Sequence, residues 1–341
     1  MRLYRRSLLV LSLTLIAAIL SACGGSQNRP ADQTELSDSD DLEGDVAIDG
    51  SSTVFPLMTA AVEEYNFVQP RVRVSVGETG TGGGFKKFCG IDQAPSTDIS
   101  NASRAIKAEG EADVCAENGI EYVELLIAYD GLTVVVNPEN DFVECLTVEQ
   151  LGKLFRPEDG ENADTWADLD PSWPAEPIKF FVPDPDSGTR DFFVEAIIAG
   201  GLGLEGENAN IRQDNGTTFN TDDNILLGGV AGEANGLGFF GFAYYINNAE
   251  KVRAIPVQNA DGDCVEPSSE TVQDGSYNPL SRPLYIYVNK ASLQEKPQVA
   301  DLVKFLLGED GLALVMEEVG YSMPPEGTYA DDLAAVEDAL K

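Results

Sequence analysis

The chain has 341 residues, of which 58 are acidic, 22 are lysine or arginine and none is histidine, giving a formal net charge of −36. So acidic a chain is not expected to bind nucleic acid, because that affinity depends on basic contacts to phosphate groups. The length and a hydrophobic fraction of 43% are sufficient for two folded domains and argue against global disorder.

The N-terminus carries the pattern of an export signal. Three arginines near the start precede an apolar run over residues 7–18, and residues 20–23 read LSAC, the form of a lipobox. The run is short for a stable membrane span, so we predict a lipoprotein signal peptide over residues 1–22, with an uncleaved anchor as the alternative. Cleavage would make Cys23 the lipidated N-terminus of an exported protein, which would face the periplasm or the cell exterior. Residues 23–44 are small and acidic, and we expect them to form a flexible tether.

Alternating strand and helix patterns follow the tether. Residues 45–48 and 71–76 predict strands on either side of a helix over 56–67, whose apolar residues share one face. This order predicts an α/β fold with a parallel sheet and ligands at the carboxyl ends of its strands. Further strands are predicted at 131–137, 178–182 and 284–288, and further helices at 148–155, 190–199, 297–307 and 331–340.

Three stretches place hydroxyl and glycine residues just before a predicted helix: 49–56 (DGSSTVFP), 80–88 (GTGGGFKKF) and 186–193 (DSGTRDFF). Free amide groups and the positive end of the dipole make such helix starts suitable for an anion. The second stretch lacks the GKS or GKT ending of an ATP-binding loop. The third has no GxSxG around Ser187, and the chain has no histidine to act as its base. The three stretches together therefore suggest an oxyanion receptor.

A fourth stretch, 236–241 (GLGFFG), fits the GxGxxG pattern of dinucleotide-binding proteins. An aromatic segment, 242–245 (FAYY), follows it, and we interpret that segment as strand-like. No acidic residue stands at a suitable distance to bind a ribose. Close packing of a strand is therefore the better explanation of these glycines.

Four cysteines besides Cys23 suggest two disulfides in an exported chain, although three pairings are possible. We favour Cys89 with Cys115, which flank a short loop and helix, and Cys145 with Cys264, which would tie distant segments together. A metal site is the alternative, but the chain has no CxxC and no histidine. No cofactor is expected.

Six segments resemble the phosphate-binding proteins of phosphate-specific ABC importers. They read DGSSTVFP, GETGTGGGFKKFC, DISNASRAI, DSGTRDFF, GFFGFAYY and PLSRPLYIYV, and they lie between residues 45 and 320. The resemblance implies a two-lobed, type II periplasmic-binding-protein fold, in which each lobe is a mostly parallel sheet flanked by helices and the ligand lies in the hinge cleft. Lobe 1 is expected over 45–129 and 246–341, and lobe 2 over 130–245.

The resemblance also implies a function and a set of site residues. The protein would be a monomer that captures inorganic phosphate and delivers it to a membrane permease, whose ATPase is a separate chain. By motif position, the residues expected to bind phosphate are Ser52, Thr53, Val54, Thr81, Gly82, Ser103, Arg104, Ser187, Gly188, Thr189 and Arg190.

Two positions depart from the family pattern. Arg104 stands where well-studied relatives have an aspartate that accepts the proton of hydrogen phosphate. Pro183 stands where they have an arginine, while Arg190 follows the SGT sequence instead. Each arginine would either bind the anion or brace a loop by pairing with a carboxylate such as Asp98 or Asp191.

The arginine exchange leaves the choice among oxyanions open. A receptor for sulfate or molybdate is therefore the main alternative to a phosphate receptor. A phosphate-ester hydrolase and a surface adhesin are weaker ones, because the chain has no histidine for catalysis and an adhesin would leave the three anion loops without a role.

Overall fold

The computed structural model describes residues 42–91, 94–157, 160–185, 187–214 and 216–341. The predicted signal peptide, Cys23 and nearly all of the predicted tether lie outside these residues. The strands are β1 (Gly44–Gly50), β2 (Val72–Val76), β3 (Ile99–Ala102), β4 (Tyr122–Val136), β5 (Lys179–Pro183), β6 (Thr217–Asn220), β7 (Gly236–Gly241), β8 (Arg253–Ala254), β9 (Val257–Gln258), β10 (Cys264–Val265) and β11 (Ser281–Asn289). The α-helices are α1 (Val54–Val68), α2 (Thr81–Cys89), α3 (Asp113–Glu117), α4 (Val148–Phe155), α5 (Gly188–Phe193), α6 (Asp223–Gly232), α7 (Phe242–Ile246), α8 (Ser269–Gln273), α9 (Lys290–Glu295), α10 (Pro297–Leu306), α11 (Leu312–Val319) and α12 (Thr328–Ala339).

Two sheets share the long strand β4. The strand order is β2-β1-β3-β11-β4-β7-β5-β6, and β8 also pairs with β4. The first half of β4 pairs with β11, whereas the second half pairs with β7 and β8. The outer pairs β1–β2, β1–β3, β5–β6 and β5–β7 are parallel, while the pairs around β4 and β11 are antiparallel. The predicted two-lobed α/β fold is therefore confirmed, and β4 joins the lobes. The expectation of mostly parallel sheets was wrong, because the strands that pair with β4 and β11 are antiparallel and each sheet is mixed.

Each lobe has its own apolar core. The predicted inner face of α1, which carries Leu57, Ala61, Val62 and Tyr65, is buried against the sheet of lobe 1. The core of lobe 2 is built around the second half of β4 and contains a stacked pair of rings, Phe193 and Phe239, with centroids 4.3 Å apart. Burial of these large side chains supplies most of the stabilisation of each lobe.

The return of the chain to lobe 1 comes later than the expected position at residue 246. Ile255 and Val257 pack in the core of lobe 2, and β8 pairs with Val135 and Val136 at the end of β4. We therefore assign residues 246–280 to lobe 2, and the chain returns to lobe 1 at β11. The sequence alone does not predict strands β8, β9 and β10, because each contains only two residues and shows no alternating pattern.

The GLGFFG stretch is strand β7, as predicted, and its glycines allow close packing. A Cβ on Gly238 would lie 2.6 Å from the Phe181 carbonyl oxygen, and one on Gly236 would lie 2.7 Å from the Val230 carbonyl oxygen. The prediction for the following FAYY segment was wrong, because it forms the first four residues of helix α7. Phe242 at its start is buried in the core of lobe 2, so tertiary packing overrides the strand preference of its aromatic residues.

Both favoured disulfides are present. Cys89 and Cys115 join α2 to α3 in lobe 1, and Cys145 and Cys264 join two parts of lobe 2 that are 119 residues apart in the sequence. Among the described residues, no helix combines the length and the apolar character needed to cross a bilayer.

Candidate functional site

A cavity of about 470 Å³ lies between the two lobes. Ser52 and Thr53, at the start of α1, line it from lobe 1, and Gly188 and Thr189, at the start of α5, line it from lobe 2. The first and third predicted anion loops therefore face the same space. Two sets of hydroxyl groups and helix amides can approach one small anion there from different lobes.

The first loop is held by close backbone contacts. Gly50 has φ +143°, and a Cβ there would lie 2.1 Å from the Asn101 carbonyl oxygen, so only glycine fits. The Asn101 carbonyl accepts a hydrogen bond from the Ser51 amide at 2.9 Å, and the Ser51 hydroxyl accepts a long one of 3.4 Å from the Val54 amide. Val54 itself has a fully buried side chain. The loop before α1 is thereby fixed with Ser52 and Thr53 toward the cavity.

The second loop lies next to the first but does not line this cavity. Asp49 accepts hydrogen bonds from the Thr79 hydroxyl and from Lys87 Nζ, each at 2.5 Å, which ties α2 to the end of β1. Thr81 Oγ1 accepts a hydrogen bond from the Ser103 amide at 3.1 Å and lies 3.1 Å from the Ser103 hydroxyl. The structure thus brings Thr81 and Ser103 together, and Gly82 beside them is exposed.

A second interlobe cavity, of about 520 Å³, is lined by Ser103. Phe192, Glu195 and Arg282 also line it, and Arg282 contacts Thr53 of the first cavity. The two cavities are therefore neighbours, connected by the hydrogen bond between Arg282, which lines the second cavity, and Thr53, which lines the first.

The third loop begins α5 with a side-chain cap. The Ser187 hydroxyl accepts a hydrogen bond from the Arg190 amide at 3.4 Å, which satisfies one of the free amides of the first turn. Gly188 and Thr189 lie one and two residues further on and line the first cavity. Ser187 therefore shapes the loop, while the two residues after it face the ligand space. Asp186 lies outside the described residues.

Neither predicted arginine is among the described residues that line the first cavity. Arg104 forms a two-point ion pair with Glu111, with N–O distances of 2.8 and 2.9 Å. Arg190 is 4% exposed and donates to the Asn210 side-chain oxygen at 2.8 Å and to the Pro183 carbonyl oxygen at 3.3 Å. Burial lowers the pKa of Arg190 from its ordinary value.

The carboxylate that pairs with Arg104 is neither of the two suggested, Asp98 and Asp191. Asp98 accepts a hydrogen bond from Lys296 Nζ at 2.7 Å. Glu111 takes its place: burial opposes its ionisation, but hydrogen bonds from Arg104 and the Lys107 amide lower its pKa overall. Arg104 therefore braces its loop, as one of the two alternatives predicts, and its partner is a carboxylate seven residues further along the chain.

Carboxylates are prominent in the first cavity. Glu78, Asp130, Asp191 and Asp223 line it, and no lysine or arginine is among its described lining residues. Burial raises the pKa of Asp130, and burial together with the charge of Asp222 raises the pKa of Asp223 to about 6. A bound anion must therefore be held by hydrogen-bond donors and must tolerate nearby acceptors.

Motif position did not assign Arg282 or Asp130 to the site. Arg282 lies in the PLSRPLYIYV segment, opposite Asp130 across the β4–β11 pair. Its Nε donates to Asp130 at 3.0 Å, and its Nη2 donates to the Thr53 hydroxyl at 2.8 Å. Arg282 is the one charged residue of that segment, and this is the feature of the sequence that points to a role.

Comparisons with known proteins identify the family of this chain. A family model described as a PBP superfamily domain matches residues 27–310. The Staphylococcus saprophyticus phosphate-binding protein PstS is 38% identical over 322 residues, which are 94% of this chain and 91% of the relative. The protein SphX of Synechococcus elongatus is 41% identical over 83% of this chain and 79% of its own length.

A solved structure is also similar. The crystal structure of a possible phosphate binding protein from Planctomyces limnophilus matches with a TM-score of 0.79 and 43% sequence identity. The match covers 88% of this chain and 100% of that chain.

Proposed function

Because the chain belongs to the PstS-type phosphate-binding proteins of the PBP superfamily, we propose that it captures inorganic phosphate between its lobes and delivers it to the permease of an ABC importer. The observation that carries this proposal is that two helix starts from different lobes line one cavity, with Thr53 from lobe 1 and Thr189 from lobe 2. The PstS relatives are named as phosphate-binding proteins, which argues against the hydrolase alternative.

Capture would depend on closure of the lobes around the anion. Amide and hydroxyl groups near Thr53 and Thr189 would replace the water around phosphate, each from its own lobe. An anion that touches both lobes binds the closed form more tightly than the open form and therefore shifts the population toward it. The permease, on this proposal, recognises that closed form.

The carboxylates of the cavity support phosphate over sulfate. At neutral pH phosphate carries one or two protons and can donate a hydrogen bond to a carboxylate, whereas sulfate has no proton to donate. With four carboxylates in the wall, a fully deprotonated anion would be repelled by them and could donate no hydrogen bond to any of them. The cavity carboxylates would therefore select for phosphate in a chain that has Arg104 at the position of the family aspartate.

The proposal includes a lipid anchor at Cys23. The lipobox pattern and the acidic stretch that follows it support an exported receptor tethered near its permease. Mass spectrometry of the protein purified from membranes would test this step. A lipid-modified Cys23 as the first residue is expected, and an unmodified chain that retains residues 1–22 would contradict it.

Binding is tested by calorimetric titration of the mature protein with phosphate, arsenate, sulfate and molybdate. We expect phosphate to bind at least about a hundredfold more tightly than sulfate, a difference of roughly 2.7 kcal/mol. Tighter binding of sulfate or molybdate would support the oxyanion alternative. Absence of binding by all four anions would contradict a receptor for tetrahedral anions altogether.

A further inference from the structure

Arg282 lies beside the segment of β4 that passes from one lobe to the other, and its side chain contacts residues of both lobes. It lies on β11, directly opposite Asp130 on β4, and its side chain is only 11% exposed. The guanidinium stacks on the Phe192 ring, with its central carbon 3.7 Å from the ring centroid. Phe192 belongs to α5 in lobe 2, so the Arg282 side chain reaches from β11 of lobe 1 to the second lobe.

The Arg282 guanidinium donates hydrogen bonds to three different residues. Its Nε binds Asp130 at 3.0 Å, its Nη2 binds the Thr53 hydroxyl at 2.8 Å, and its Nη1 binds Glu195 at 2.9 Å. Asp130 is buried, whereas the Glu195 side chain is 68% exposed. The contact with Asp130 therefore fixes the guanidinium strongly, and the contact with Glu195 is weaker because water screens it.

The chemistry of these groups determines how Thr53 is oriented. A guanidinium has only donors, so the Thr53 hydroxyl must accept from Arg282, and its own proton must point elsewhere. The Thr53 carbonyl oxygen is held separately by the Tyr321 hydroxyl at 2.6 Å. Thr53 lines the first cavity, so its remaining hydroxyl proton is available to an anion there.

We propose that Arg282 is a positioning residue of the anion site, which turns the Thr53 hydroxyl into a donor toward the ligand. The inference rests on the proposed function, because it assumes that the ligand is an anion in the first cavity. Arg282 is absent from the described lining of that cavity, and its charge is already matched by Asp130 and Glu195. Its contribution is therefore the orientation of Thr53 more than direct attraction of the anion.

A double-mutant cycle between Arg282→Lys and Thr53→Val tests this inference, with phosphate affinity measured by calorimetry on the full mature protein. Lysine keeps a cation beside Asp130 but cannot make the three-way contacts of the guanidinium. We expect Arg282→Lys to weaken phosphate binding about tenfold in the parent protein but less than about twofold in the Thr53→Val background. Arg73→Lys, at an exposed arginine paired with Asp45, is the matched control and is expected to change nothing.

The outcomes separate the possible roles. An equal loss in both backgrounds would overturn the inference, because it would make Arg282 a direct ligand or a general structural support. No loss in either background would also overturn it. If Arg282→Lys does not fold, the Asp130→Asn/Arg282→Gln pair is compared in the two backgrounds instead, since it leaves no buried unpaired charge. Failure of the parent protein to bind phosphate would instead contradict the proposed function.

Discussion

The Arg104 guanidinium and the Glu111 carboxylate form a two-point ion pair in which both carboxylate oxygens accept a hydrogen bond. The side chain of Arg104 is 33% exposed and that of Glu111 is 12% exposed, so water screens the pair only in part. The hydrogen bond to Glu111 raises the pKa of Arg104. The pair closes the turn after Ser103 and leaves the guanidinium occupied.

We therefore expect Arg104→Met to reduce stability more than phosphate affinity. Loss of one partner leaves a partly buried carboxylate without its cation, which should cost about 1 to 2 kcal/mol of unfolding free energy. Glu111→Gln should lower Tm to a similar extent, because it breaks the same pair. Melting curves and phosphate titrations on the same samples provide the measurement. A loss of affinity above about tenfold at an unchanged Tm would assign Arg104 to the ligand after all.

Two neighbouring residues of the third loop should have separable roles. Thr189 lines the cavity, so Thr189→Val is expected to weaken phosphate binding by about 1 to 3 kcal/mol at nearly constant Tm. Ser187 caps α5, so Ser187→Ala should cost about 1 kcal/mol of stability with a smaller effect on affinity. Calorimetry and thermal melting distinguish the two, and reversed effects would exchange the assigned roles.

Local patterns predicted much of the fold, because they depend on residues close in sequence. The helix at 148–155 has the predicted bounds, and its Thr147–Gln150 capping box explains why its start was clear. Strand β4 was predicted over only its second half, since Asp130 interrupts the apolar run where the strand crosses between lobes. A charged residue inside a strand suggests that the strand ends there, unless the residue that pairs with the charge is known.

The candidate site could be predicted only in part, because it depends on contacts between residues that are distant in the sequence. Helix starts such as those at Thr53 and Gly188 are visible in the sequence, but contacts between distant segments are not. Arg282 and Thr53 are 229 residues apart, and nothing in a single sequence relates them. The motif positions of Arg104 and Arg190 indicated charge near the anion, yet the direction of a long side chain depends on tertiary neighbours such as Glu111 and Asn210.

The two disulfides should contribute unequally to stability. The chain-entropy model gives about 3.5 kcal/mol for a loop of 26 residues and about 5 kcal/mol for one of 119, which are the separations of the two pairs. Removal of Cys145–Cys264 by a double serine variant should therefore lower the unfolding free energy more than removal of Cys89–Cys115. Denaturant titrations of both variants provide the test. The reverse order would indicate that burial of Cys89 and Cys115 outweighs loop length.

Asp223 should make stability depend on pH in a window from about 4 to about 6. It is the first residue of α6 and lines the cavity, and burial together with Asp222 raises its pKa from 3.8 to about 6. Between these values the folded protein holds a proton that the unfolded chain has released. Stability therefore falls as pH rises through the window, and the loss persists above it.

Asp223→Asn should remove that loss. The substitution is expected to stabilise the protein by about 1 to 2 kcal/mol at pH 8 and to have little effect near pH 4, where the native side chain is already neutral. Asp113→Asn, at an exposed first residue of α3, removes the same charge away from the cavity and serves as the control. Urea unfolding of the parent protein and both variants at the two pH values provides the measurement. A gain from Asp223→Asn that is equal at both pH values would show that burial does not hold this carboxyl protonated.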